Sequence, residues 1–575
     1  MATPTYPTVI VRETDLTTRI NTGDFTSFGA LAINSEWGPA EEINLITSEV
    51  DLINYFGKPN SETYIDFFVA SNFLTYSSSL KLVRVCDDIA INACSGTAVL
   101  VKNDTDYETA TIDGSGAWIA KYPGEKGNSI FVACCDAGSS LSSNVHTSNN
   151  SFGTWEDYFS TIPGTSEHAD SLGGGYDEMH VLVIDEGGLF TGVQGSILEK
   201  YEYLSKASNA KKEDGTNNFY KELLNQTSQY IRIGDEYVLG ANSSALVSDT
   251  FSSFGNNAVS LTGGYNADSS NTSMYLNSYE LFEDKKSVDV SHVIAGNLSG
   301  TSVKSLITMA ETRGDCVVFI SPEWSDVQVG LTQMQITNNI VDFKNSEIAT
   351  SSSYYFVDGN WKQQYDKYND VNRWIPCCGD TAGLKAKAEV ENDSWWNGSG
   401  YNRGLIRNCI KLAWNPKDDY MGIIYKNRVN PIISEGGQFI LLGDKTGLTR
   451  SSAFDRINVR YLFNTLKKKI GDYLKYGLFN FNDEFTRTQL TAQVESYLKA
   501  VKSRRGVEDF EVVCDLSNNT GIVRDNNELK MDVYIKPSKS INWITLTMVA
   551  VGSSVEFSEV VGRAEGLNYY YKYKK

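Results

Sequence analysis

Strand-like and helix-like segments alternate in two separated stretches of this chain, and that alternation most restricts what it can fold into. In the first stretch, residues 28–33 form an apolar run that predicts a buried strand, followed by a turn at Gly38-Pro39. Thr47-Ser48-Glu49 caps a helix carrying Val50, Ile53 and Tyr55 up to a stop at Gly57. Residues 63–76 are aromatic and apolar throughout, which predicts a core helix, and residues 80–85 return as a strand. The order recurs further on, with a strand over 292–295, a helix over 301–313 and a strand over 316–320 before Pro322. Such alternation builds an α/β layer.

Between these stretches the chain changes character. Short strands at 98–102 and 130–135 lie among Gly, Ser, Asn and Asp, and residues 138–153 read as a mobile surface loop. A strand over 179–184 and a helix near 192–208 follow, then another polar loop at about 262–275. Aromatic residues, among them Trp361, Trp374, Trp395 and Trp396, crowd the turn-rich segment 352–400.

The last quarter has the clearest periodicity. Val459, Leu462, Phe463, Leu466, Ile470, Tyr473 and Leu474 make one apolar helical stripe. A second helix starts at Thr486, with Gln489 closing a capping box, and ends at Gly506 after the stripe Leu490, Val494, Tyr497 and Val501. Strands are expected at 510–514, 529–537 and 541–551, with a last extended segment at 554–561, so this part is α+β. At 575 residues the chain has room for two to four domains. The expected division is an N-terminal extension (1–23), a middle α/β domain (24–85 with 301–410), outer β-rich insertions (86–300) and a C-terminal domain (411–575).

Charge excludes one broad class. With 51 basic against 71 acidic residues the net charge is −20, the wrong sign for a general nucleic-acid binder. The excess is uneven: residues 451–575 carry 19 basic and 15 acidic side chains, a net of +4 on an otherwise acidic body. No apolar run reaches the length of a bilayer span, and Met1–Pro7 lacks the basic and apolar regions of a signal peptide. Nine cysteines without a CxxC read as reduced thiols; the pairs Cys134-Cys135 and Cys377-Cys378 have no histidine nearby to complete a metal site.

The chemistry of an enzyme does not assemble. Only four histidines occur, His146, His168, His180 and His292, none in a ligand spacing. Val181–Asp185 followed by Glu186 has the form of a Walker-B strand, but no phosphate-cradling GxxxxGK[ST] accompanies it, and Gly443-Asp-Lys-Thr446 lacks the glycine spacing. No catalytic, metal-binding or cofactor-binding residue is therefore expected.

Two features concern assembly. Thr8, Val9, Ile10, Val11 and Arg12 at one end, and Val555, Phe557, Val560 and Val561 at the other, form strands joined to the rest by polar or Gly-containing linkers. They either pair within their own domain or add to a neighbour's sheet. Lys499, Lys502, Arg504 and Arg505 gather at the end of the second C-terminal helix, where they complement the helix dipole or form a docking edge for an acidic partner.

Several segments, in order along the chain, resemble the tail sheath proteins of contractile-tailed, myovirus-type bacteriophages. They include GPAEEINLITSEVDLINYFGKPN (38–60), FFVASNFLTYSSSLKLVRV (67–85), YPGEKGN (122–128), DEMHVLVIDEGG (177–188) and DCVVFISP (315–322). YYFVDGNWKQQYDKYNDVNRWIPCCGDTAG (354–383), NVRYLFNTLKKKI (458–470) and NDEFTRTQL (482–490) complete the set. The resemblance implies a structural subunit without enzymatic activity, stacked in six-fold rings around a tail tube. Those rings shorten on a baseplate signal and drive the tube through the host envelope. It implies an innermost C-terminal domain, terminal strands that complete sheets in neighbouring subunits, and a tube contact at Lys499, Lys502, Arg504 and Arg505. The implied partners are further copies, the tube, the baseplate and the tail terminator, in the virion and, during assembly, the host cytoplasm; nucleic acid and membrane are not among them. A sheath from a bacteriocin or secretion-type injection device is the alternative, and an α/β enzyme a second.

Overall fold

The structure, a computed structural model, describes residues 27–146, 151–235, 246–252, 256–266 and 271–542. A seven-stranded sheet lies at its centre. Its order is Val429–Asn430, Tyr355–Asp358, Val317–Ile320, His292–Ile294, Gly29–Ile33, Leu80–Arg84 and Asn44–Ile46. All neighbours run parallel except the last, an antiparallel edge strand. Parallel strands are covered on both faces, which is why these runs are continuously apolar. Leu31, Phe319 and Phe356 enter one core, and Ala30, Val318 and Val357 the opposite one. The sheet extends beyond the expected 301–410 segment on both sides: His292–Ile294 pairs with Gly29–Ile33, and Val429–Asn430 with Tyr355–Asp358.

The helices beside the sheet follow the local signals. Ser48 accepts a hydrogen bond from the Asp51 N–H and opens Glu49–Phe56, and the Gly57 N–H closes it on the Ile53 carbonyl. Tyr64–Leu74 is buried almost all round and is crossed by Cys378–Glu391, a helix within the aromatic segment that the sequence pattern did not announce. Gly379 makes that crossing possible, since a Cβ there would lie 2.4 Å from the Val69 carbonyl oxygen.

The insertion is built on a four-stranded antiparallel sheet, ordered Asn256–Ser260, Ile130–Asp136, Glu178–Asp185 and Ser196–Ser205. Here three expectations are corrected. Residues 196–205 form a strand, not a helix, because their backbone pairs along the buried strand Glu178–Asp185. Residues 98–102 make only an isolated bridge between Val99 and Asn92. Segment 138–153 contains the paired strands Asn144–His146 and Ser151–Thr154, with Val145 buried. The polar stretch near 262–275 gives way to a helix, Thr272–Glu280. Cys134 enters one core of this sheet and Cys135 the other, so the two thiols cannot converge on one ligand.

The C-terminal unit has two helices, Ile457–Lys475 and Glu484–Ser503, over the antiparallel pair Val507–Val513 and Asp532–Pro537. The second helix begins earlier than the capping-box pattern implied: Asp483 is the cap and accepts from the Thr486 N–H. Leu462, Leu466, Val494, Leu498, Val501 and Val507 form its core with Trp395. Among the described residues, no helix is long and apolar enough to cross a membrane.

Candidate assembly surfaces

The basic cluster sits where the Glu484–Ser503 helix ends, and most of it is engaged within the chain. Lys499 pairs with Glu495 at 3.0 Å and Lys502 with Asp509 at 2.8 Å, both at the surface. Arg504 pairs with Asp393, its guanidinium 5.1 Å from the centre of the Trp395 ring. Arg505 is exposed and makes no ion pair among the described residues. Its backbone takes φ +65°, and the Arg505 and Gly506 N–H groups bond to the Lys502 and Val501 carbonyls. That is a Schellman stop with arginine in the left-handed position where glycine is usual. Gly506, the expected stop, is required for another reason: a Cβ there would lie 2.5 Å from the Val501 side chain.

The strand pair beside this cluster is a sheet of only two strands, paired only with each other among the described residues. Val507–Val513 and Asp532–Pro537 therefore each present an open edge, an invitation to strand addition. Thr8, Val9, Ile10, Val11, Arg12, Val555, Phe557, Val560 and Val561 lie outside the described residues.

The start of the Ile457–Lys475 helix is locked to the central sheet by a buried polar network. The Tyr461 hydroxyl bonds His292 Nδ1, His292 Nε2 meets the Ser27 hydroxyl, and Ser27 donates to Glu389. Lys385 donates to Glu389 at 2.9 Å and to the Ser394 carbonyl at 2.7 Å. Burial alone would raise the Glu389 carboxyl, but Lys385 and His292 outweigh it and hold the group at about 2. Burial pushes His292 below the ordinary imidazole range, against the pull of Glu389. Further along the helix, Lys467 reaches the Gly314 carbonyl and Lys468 pairs with Asp289, both at 2.6 Å.

Two sequence profiles match this chain, the phage tail sheath protein central domain over residues 284–447 and the phage tail sheath C-terminal domain over 449–550. The tail sheath protein of Salmonella phage ViI is 31% identical, covering 92% of this chain and 94% of its own. That of Enterobacteria phage T4 is 30% identical, covering 97% and 99%. This chain belongs to the phage tail sheath proteins. It is a structural subunit of contractile phage tails, a virion component and not an enzyme. The fold agrees: the sheath tail protein of Listeria innocua superposes with a TM-score of 0.52 at 12% identity, over 89% of this chain and 95% of that one.

Within the sheath subunit, the residues that could suggest catalysis have structural work. Ser27, His292 and Glu389 are close, yet Ser27 gives its proton to the carboxylate, and His292 Nδ1 faces a tyrosine where a triad has its acid. The adjoining cavity holds only about 30 Å³. His180 stacks on Phe159 at 4.2 Å, accepts from the Tyr203 N–H through Nδ1 and bonds the Thr161 carbonyl through Nε2. Asp185, the Walker-like acid, ends a strand of an antiparallel sheet and accepts from Ser129 and from the Phe190 and Thr191 N–H groups, pinning a turn.

One sheath surface escaped the sequence reading. Among the described residues, six large apolar side chains are three-quarters or more exposed, and four of them, Tyr476, Phe479, Phe481 and Phe485, stand in or beside the turn joining the C-terminal helices. The signal was present as the run Tyr476-Gly-Leu-Phe-Asn-Phe481, apolar residues in a connection where polar ones are usual.

Proposed function

We propose that this chain polymerises as stacked hexameric rings around the tail tube, and that its contraction drives the tube through the host envelope. Assembly would take place in the host cytoplasm, with the baseplate and tail terminator bounding the polymer. The observation that carries this reading is the incomplete C-terminal sheet of a tail sheath family member: two strands, open on both outer edges among the described residues. Thr8, Val9, Ile10, Val11 and Arg12 of one neighbour, and Val555, Phe557, Val560 and Val561 of another, would complete it. Strand exchange supplies backbone hydrogen bonds that survive domain rotation, because the linkers absorb the φ/ψ change.

The tube contact would be made by Lys499, Lys502, Arg504 and Arg505. Its polar character suits a contact that must break, since separation exposes charge to water and no apolar surface. Arg505 supports this most directly, being exposed and held in a costly backbone conformation. Negative-stain electron microscopy of the purified chain, alone and with tube protein, tests the reading. Tubes with six-fold end views are expected; small closed oligomers under both conditions would overturn it.

A further inference from the structure

The exposed aromatic turn is part of a larger surface. Asn482, within the turn, donates to the Glu528 carbonyl at 2.7 Å and so ties the turn to the loop that joins the two C-terminal strands. That loop carries two further exposed apolar side chains, Leu516 and Ile522, and the turn itself carries Tyr476, Leu478, Phe479, Phe481 and Phe485. Five of the six most exposed large apolar side chains among the described residues thus share one end of the C-terminal unit. Phe479 is fully exposed and carries φ +68°, a backbone conformation that bulky side chains rarely adopt. A patch of this kind on a folded chain marks an interface.

We infer that this aromatic end is a docking surface for a second copy of the chain. Three observations favour that occupant. The patch lies at the end of the two-stranded sheet where Val513 pairs with Asp532 and the connecting loop begins, next to the ends of both open edges. Whatever copy completes the sheet therefore arrives beside the aromatic residues; this point rests on the strand-exchange reading above.

Next, the chain's own terminal segments start elsewhere. Ser27 is held beside Tyr461, and Asn542 bonds Tyr425 and Asp444, which itself pairs with Arg456. Both exits cluster at the start of the Ile457–Lys475 helix, while the turn follows its end, about 28 Å away at 1.5 Å per residue. The surface thus lies at one end and both exits at the other, and head-to-tail contacts between unlike surfaces propagate into rings and helices.

Chemistry supplies the third argument. Phe, Tyr and Trp bury roughly 150–250 Å² each, the kind of area found in permanent contacts between identical subunits. A tube that must be released is a poor match for such a surface.

The test is site-specific photo-cross-linking in assembled sheaths, with benzoylphenylalanine replacing Phe479. A cross-linked band of doubled subunit mass containing only this chain is expected. A cross-link to the tube protein, one confined within a single subunit, or none in assembled sheaths would overturn the inference while leaving assembly intact. A chain that polymerises under no condition would bring down the assembly reading and this one together. In parallel, the double variant Phe479→Ser/Phe481→Ser should keep the thermal midpoint of the monomer, since these rings touch little within it. It should raise the concentration needed for polymerisation at least tenfold; unchanged polymerisation would count against the docking surface.

Discussion

The central sheet and the C-terminal unit are made of the same elements but are finished to different degrees. Gly29–Ile33 is buried at every position, and helices or strands cover both faces of its sheet. Asp532–Pro537 alternates between exposed and half-buried residues, and among the described residues its sheet has two strands. The first region has what it needs to hold itself together. The second, among the described residues, has one covered face, open edges and an aromatic end, so it is the region where further strands or further copies have room to attach. A polymer that changes shape benefits from that division, because the rigid part carries the form and the unfinished part carries the joints.

The strongest way to break this comparison is to remove an arm. Deleting residues 553–575 should leave a folded subunit, with the melting transition of the central sheet intact, that no longer polymerises in sedimentation or electron microscopy. Tubes from the truncated chain would show that the C-terminal unit is not completed by that segment. A second test makes one substitution in both regions. Gly379→Ala forces a Cβ to within 2.4 Å of the Val69 backbone and should destabilise by about 1–3 kcal/mol. Gly471→Ala, in the open part of the Ile457–Lys475 helix with nothing within 4 Å, should stabilise by up to about 1 kcal/mol. Equal signs in denaturant titrations would contradict the contrast in packing.

Within the central region itself, two buried carboxyls should respond to pH in opposite senses. Burial pushes Asp358, in the central sheet, up to about 8, although Ser321 and the Asn360 N–H oppose it. A folded-state pKa above the ordinary carboxyl value means that the folded chain binds the proton more tightly. Its contribution is complete below 3.8 and is lost as the pH rises through about 8. Asp358→Asn should therefore flatten the fall in melting midpoint between pH 3.8 and about 8. Glu389, held at about 2, acts in the opposite sense: its contribution is present above 4.5 and is lost as the pH falls towards 2. An unaltered slope over the range from 3.8 to about 8 in the Asp358→Asn variant would assign the slope to other groups.

Most of the central architecture was legible because its signals are local. An apolar run gave the strand ending at Ile33, Ser48 marked a helix start, and the Val459–Leu466 spacing marked the long C-terminal helix. The failures have tertiary causes. Tyr201, Glu202 and Leu204 suit a helix by propensity, but pairing with a buried strand overrides it. The Cys378–Glu391 helix was hidden by Gly379 and Gly383, weak helix formers retained because a neighbouring helix passes so close. Among the site residues, the basic cluster was visible as a charge run. Its internal partners Asp393 and Asp509 were not, since one lies far away in sequence and the other across a turn. The aromatic turn was overlooked because a periodicity search looks at helices and skips what joins them.

The smallest predicted effect bears most closely on why the basic end is built as it is. Arg505 occupies the left-handed position of a helix stop, where glycine avoids the clash between Cβ and backbone. Arg505→Gly keeps every backbone hydrogen bond of the motif, but it also frees the unfolded chain, which works against stability. The balance should favour glycine by about 0.5–1 kcal/mol, seen as a small rise in melting midpoint of the isolated subunit. If the arginine is retained for the tube, the same variant should bind tube protein more weakly and with a shallower dependence on salt, because one screened charge has gone. A subunit that gains stability while losing the tube would show a local cost sustained for an external partner. One that gains stability and binds the tube unchanged would remove Arg505 from the contact and leave Lys499, Lys502 and Arg504 to be tested without it.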